Sequence, residues 1–172
     1  MDPYPDNPRE NYDHVGTMVC FHRNYNLGDN HDIDVGDFDT WDEVEEHLYA
    51  DCGAEIVLPL YLYDHSGITM NTTGFSCSWD SGKVGFIYAS KENIEKMMLL
   101  DPENMTPEQT EHIREILKDE VEGYDDYLNG NVYYWILKDK DGERIDSCYG
   151  YYGYPSGIKD ILAEHQLDPD DY

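Results

Sequence analysis

The chain has 172 residues, of which 40% are apolar and 16 are tyrosine; that is long enough for one domain with a core that needs no disulfides, and too aromatic for a disordered chain. It carries 38 Asp and Glu against 11 Lys and Arg, a formal net charge of −27, which excludes direct nucleic-acid binding because no basic patch exists to neutralise phosphates. No apolar run reaches the roughly 18 residues of a membrane span, and residues 1–9 are polar and proline-rich without an export pattern, so the expected location is the cytoplasm of the host cell.

In chain order, residues 1–12 read as a short polar tail. Residues 15–22 are apolar enough for a strand, and residues 24–39 read as an acidic loop broken by Gly28 and Gly36. Thr40 starts a helix, with Glu43 at capping-box spacing and Trp41, Val44 and Leu48 as its apolar face. Residues 55–63 form an apolar run interrupted by Pro59, the mark of an edge or bulged strand. Residues 74–90 suggest two strands about a turn at Asp80-Ser81-Gly82. Ser90 then caps a helix from Lys91 to about Leu100, ended by Asp101-Pro102.

The clearest helix follows. Thr106 and Gln109 make a second capping box, Pro107 sits where its missing donor costs nothing, and Ile113, Ile116, Leu117, Val121, Tyr124 and Leu128 recur at helical spacing. Asn129-Gly130 ends it. Residues 131–138 and 143–149 read as a hairpin, and Ser156 caps a short final helix before an acidic tail at 166–172. The pattern predicts a single α+β domain: a mostly antiparallel sheet of four or five strands with about four helices packed on one face.

The charge is unevenly spread. Between Arg23 and Lys83 there is no Lys or Arg, while 13 acids fall there. Among them are Asp29, Asp32, Asp34, Asp37, Asp39, Asp42, Glu43, Glu45 and Glu46. Along the helix from Pro107, the acids Glu108, Glu111, Glu115, Asp119 and Glu122 follow at steps of three and four, with Asp126 beyond, and residues at such steps share a face. Their axial spacing of roughly 4.5–6 Å is on the scale of the charges along a nucleic-acid strand. Carboxylates so arranged can stand in for phosphates in the Lys/Arg groove of a nucleic-acid-binding protein or nuclease complex. Tyr151, Tyr152 and Tyr154, in the glycine-rich tract 147–157, would add apolar anchors.

Other readings stand beside this one. A charge run is ordinarily a solvated helix face, and acid enrichment also accompanies adaptation to high salt. Cys20 and His22 with Cys77 or Cys148 could hold a metal, although no recognised ligand spacing is present. Cys77 or Cys148 with His65 or His14 could make a thiol enzyme, and an acidic adaptor is a further class. No cofactor motif is present, and the oligomeric state, a dimer included, is left open.

Three segments, TMVCFHRNYNLGD (17–29), GFSCSWDSGKVGFIYASKE (74–92) and DSCYGYYG (146–153), resemble small acidic proteins of unassigned function from bacteriophages and mobile elements. The resemblance implies a setting in which anti-restriction and anti-CRISPR inhibitors occur, some of them mimics of DNA. It assigns no residue a role.

Overall fold

The computed structural model describes residues 1–153. The expected final helix, the acidic tail and Tyr154 lie outside them. The class is α+β: the described residues form four helices, a four-stranded antiparallel sheet in the order β1-β4-β2-β3, and a separate hairpin β5-β6. The strands are β1 (Gly16–Cys20), β2 (Ala54–Asp64), β3 (Ile68–Asn71), β4 (Ser81–Ser90), β5 (Val132–Lys138) and β6 (Arg144–Tyr152). The helices are α1 (Pro8–Asn11), α2 (Trp41–Ala50), α3 (Lys91–Asn93, continued by a π turn Ile94–Met98) and α4 (Pro107–Leu128).

The helices are not all on one face of the sheet. Successive strand residues point to opposite sides, and here both sides are apolar. Met18, Ile56, Leu60 and Ile87 pack with Ile113, Leu117 and Val121 of α4. Their neighbours Val19, Val57 and Phe86 pack with Val44 and Leu48 of α2. The sheet is therefore sandwiched between α2 and α4, which is why its central strands are continuous apolar runs rather than alternating ones.

Two strand assignments also change. Residues 72–80 form no strand; Gly74 and the serines around Cys77 make an irregular loop. The extra strand is β3, paired with residues 61–64 of β2. Pro59 lies opposite Phe86 of β4 in a part of β2 that has no strand on its other side, where a missing amide donor costs no ladder bond. Gly85 lets β1 approach: a Cβ there would stand 1.9 Å from the Val19 carbonyl oxygen.

The outer edge of β1 is closed by side chains and loop backbone rather than by a strand. Arg9 donates to the Gly16 carbonyl at 2.7 Å, and the Met18 amide donates to Asp29 Oδ2 at 2.7 Å. The Asp29 amide donates to the Met18 carbonyl at 2.9 Å, and His31 Nε2 donates to the Cys20 carbonyl at 3.2 Å. An exposed edge would be a template for aggregation, and these contacts satisfy it. They also pin down the stretch read as an N-terminal tail: the Asp2 amide bonds Val132, and the Arg9 side chain is 2% exposed.

Candidate partner-binding surface

Helix α4 is firmly started. The Thr106 hydroxyl accepts from the Gln109 amide, Gln109 Oε1 accepts from the Thr106 amide, and Pro107 occupies the first turn. Ile113 and Leu117 are fully buried, with Val121 and Tyr124 nearly so. With that stripe fixed against the sheet, Glu108, Glu111, Glu115, Asp119 and Glu122 all emerge exposed on the outer side. The row spans roughly 21 Å at a rise of about 1.5 Å per residue. Glu108 is held below the usual carboxylate range by its own backbone amide and then by the Thr106 side chain. Among the described residues one cation reaches the row: Lys118 Nζ lies 3.6 Å from Glu111, both side chains about half exposed. Such a surface pair neutralises little.

The remaining acids of α4 turn inward. Glu120 accepts from the amides of Val15 and Gly16 at 2.8 and 3.2 Å and pairs with Arg9 at 3.0 Å. Asp125 accepts from the Thr69 hydroxyl at 2.8 Å and the Met70 amide at 2.6 Å, which ties α4 to β3. Asp126 is half-buried, and burial pushes its carboxyl up, with Asp125 and Glu122 adding to the shift. It is therefore the weakest member of the expected row.

The acids of the loop and α2 divide in the same way. Asp29 grips Arg9 through two bonds, 2.9 Å to Nε and 2.6 Å to Nη2, and so belongs to the scaffold. Burial works against the Arg9 charge, but Asp29 and Glu120 outweigh it and hold the guanidinium above its ordinary value. Asp32, Asp37, Asp39, Asp42 and Glu46 are exposed; Glu45 is half-buried. Asp34, also exposed, caps the 3-10 turn Val35–Asp37 through the Gly36 amide. Glu43 completes only half of the expected capping box: its amide donates to Thr40, but its carboxylate accepts from the Asp39 amide. α2 and α4 pack on opposite faces of the sheet, and they come near one another at Tyr49 of α2, which feels the charges of both Glu45 and Arg114.

The tyrosines differ from expectation in which ones are presented. Tyr151 and Tyr152 are half-buried, and the Tyr152 hydroxyl donates to the Asp6 carbonyl at 2.7 Å. Burial, then the neighbouring Tyr12, pushes the Tyr152 phenol up to about 12. Exposed aromatics instead include Tyr134 and Tyr149, stacked at 5.1 Å across the hairpin, Trp79, which is 94% exposed, and Tyr4, Tyr12, Tyr25 and Tyr49 elsewhere. The alternation of β5, with Tyr134 and Ile136 more exposed than Tyr133, Trp135 and Leu137, is the sequence signal for that face.

No protein-family model, curated protein or solved structure matches the chain. Its surfaces must be read from their own chemistry.

The sulfur and imidazole groups are dispersed. All four cysteines are free. Cys20 packs in the core, where burial and then the Asp29 charge push its thiol up to about 12, and burial raises Cys52 as well. The Cys77 thiol and His65 Nδ1 both approach Asp80 Oδ2, at 3.8 and 3.6 Å. That places a carboxylate between them rather than the imidazole on the sulfur that thiolate activation requires. Among the described residues no group of three or more His, Cys, Asp or Glu side chains is placed to hold a metal, and no helix is long and apolar enough to cross a membrane.

Proposed function

We propose that the protein is an acidic decoy: it occupies the basic nucleic-acid groove of a nucleic-acid-binding protein, with carboxylates in place of phosphates. The observation that carries this reading is the α4 row, five exposed carboxylates on one helix, of which only Glu111 has a cation, the half-exposed Lys118, within ion-pair distance among the described residues. Like charges at such spacing destabilise a helix, and a net charge of −27 costs the folded state more through self-repulsion. A groove lined with Lys and Arg is the surface on which that cost is recovered. The α2 and loop acids, on the other side of the sheet, add to the field that speeds encounter with such a partner.

The resemblance to acidic phage proteins points to a host defence nuclease, of the CRISPR or restriction kind, as the partner. The test is capture from host lysate at low salt, elution with salt, identification of what elutes, and competition with its nucleic-acid substrate. A decoy is displaced by that substrate and blocks cleavage in proportion to its occupancy. An eluted partner that binds this protein and its nucleic acid together refutes the reading.

A further inference from the structure

Beside the α4 row lies a groove of about 500 Å³, lined by Pro8, Tyr12, Ile116, Gly123, Gly150 and Tyr152 among others, with Asp119 and Glu120 at its edge. Its walls are mainly carbon, and its acids are unequal. Glu120 is committed to Arg9 and the β1 amides, whereas Asp119 is exposed and forms no ion pair among the described residues. The groove therefore offers aromatic rings and aliphatic carbon beside Asp119, a carboxylate with no ion pair among the described residues, with His14 against Glu120 and Glu122 of the row on the same helix.

Gly123 is the second observation. It sits inside a 22-residue α-helix, where glycine is less favourable than alanine because it has more backbone freedom to lose. Packing does not call for it: a Cβ at this position would meet nothing within 4 Å. The space above it is the groove. Gly150, which takes positive φ, also lines the groove, and a Cβ there would lie 3.9 Å from the Tyr12 hydroxyl. With no side chain at Gly123, the helix backbone lies open to the cleft, and a guest chain can approach it closely there.

We infer that this groove receives an arginine side chain of the basic partner, its planar guanidinium against the Tyr12 and Tyr152 rings and its donors on Asp119, with the guest chain passing over Gly123. A guanidinium combines aromatic stacking with forked donation to a carboxylate, which an ammonium does not. The inference rests on the decoy reading for the nature of the partner, and it turns one point of a diffuse charge match into a shaped site.

The test uses the intact protein and a blocked tri-arginine peptide, followed through the amide resonances of Gly123 and Gly150, with tri-lysine for comparison. Saturable shifts at both glycines are expected, weaker with lysine, and about tenfold weaker binding in Gly123→Leu and in Tyr12→Ala. Gly123→Ala is expected to raise the unfolding midpoint by about 2–4 °C, since it removes a helix-breaking residue from open space. Peptide shifts that spread along Glu108, Glu111 and Glu115 and spare the glycines overturn the groove while leaving the decoy standing. So does a lowered midpoint in Gly123→Ala, which would give that glycine a packing role. Saturable binding at the glycines, with nuclease binding indifferent to charge reversal at Glu111 and Glu115, would leave the groove and remove the decoy.

Discussion

Replacing Arg9 with Met should be among the most damaging single changes in the molecule. The guanidinium is 2% exposed, and it joins Asp29 on the acidic loop, Glu120 on α4 and the Gly16 carbonyl of β1. Removing one partner of a buried ion pair ordinarily costs about 3–5 kcal/mol, because the charge left behind stays buried. Here two carboxylates are left, but their side chains are 20% and 11% exposed and each keeps backbone amide donors. The loss should therefore fall near the lower end, about 3 kcal/mol. For a chain of this size that corresponds to a midpoint about 6–12 °C lower. Thermal and urea unfolding followed by circular dichroism measure it. The deficit should persist between about 0.1 and 0.5 M NaCl, since a buried pair is little screened, whereas the surface repulsion of the whole chain is. A loss below about 1 kcal/mol, or one that salt abolishes, would show that the cluster is solvated and that Arg9 does not organise the edge of β1.

Thr106→Ala removes the side-chain half of the α4 capping box and should cost about 1 kcal/mol, a midpoint shift of about 2–4 °C in the same scan. Stability should also fall in alkali. The folded thiol of Cys20 and the phenol of Tyr152 are both pushed up to about 12, and burial raises Tyr124 and Tyr88 too. The unfolded chain releases those protons near 9.0 and 10.0, so the stabilisation is complete below that range and is lost as pH climbs through it towards the folded values. Urea midpoints that stay flat from about pH 8 to 11 would contradict this burial. At about pH 8, iodoacetamide should modify Cys77 and Cys148 well before Cys20, read by mass spectrometry of the folded protein.

Much of the fold could be read where local chemistry decides it. Both threonine caps, the periodic stripe of α4, the hairpin and the awkward position of Pro59 are set by residues close in sequence. What could not be read depends on distant partners. Nothing near Asp29 or Glu120 distinguishes them from the other acids; they turn inward because Arg9, 20 and 111 residues away, is buried between them. The placement of helices on both faces was visible in principle in the unbroken runs at Met18-Val19, Ile56-Val57 and Phe86-Ile87, which alternation over a half-exposed sheet does not produce. Strand β3 is hard to read from sequence because it is only four residues long and follows a turn in which Ser66, beside Gly67, takes positive φ. The same limits shaped the candidate site. The α4 row follows from helical spacing alone, whereas the groove at Gly123 needs Tyr12 and Gly150 brought to the helix from both ends of the described chain.

The most direct measurement is the affinity of the partner captured from lysate for the wild-type protein and for Glu111→Lys/Glu115→Lys, at about 0.05 and 0.3 M NaCl. Both substitutions lie on the exposed side of α4 and should leave the unfolding midpoint close to that of the wild type. A decoy predicts wild-type binding that weakens steeply with salt, with the double variant at least about tenfold weaker at low salt and less sensitive to it. Equal affinity of the two proteins, or binding that salt does not weaken, would contradict phosphate mimicry by this helix.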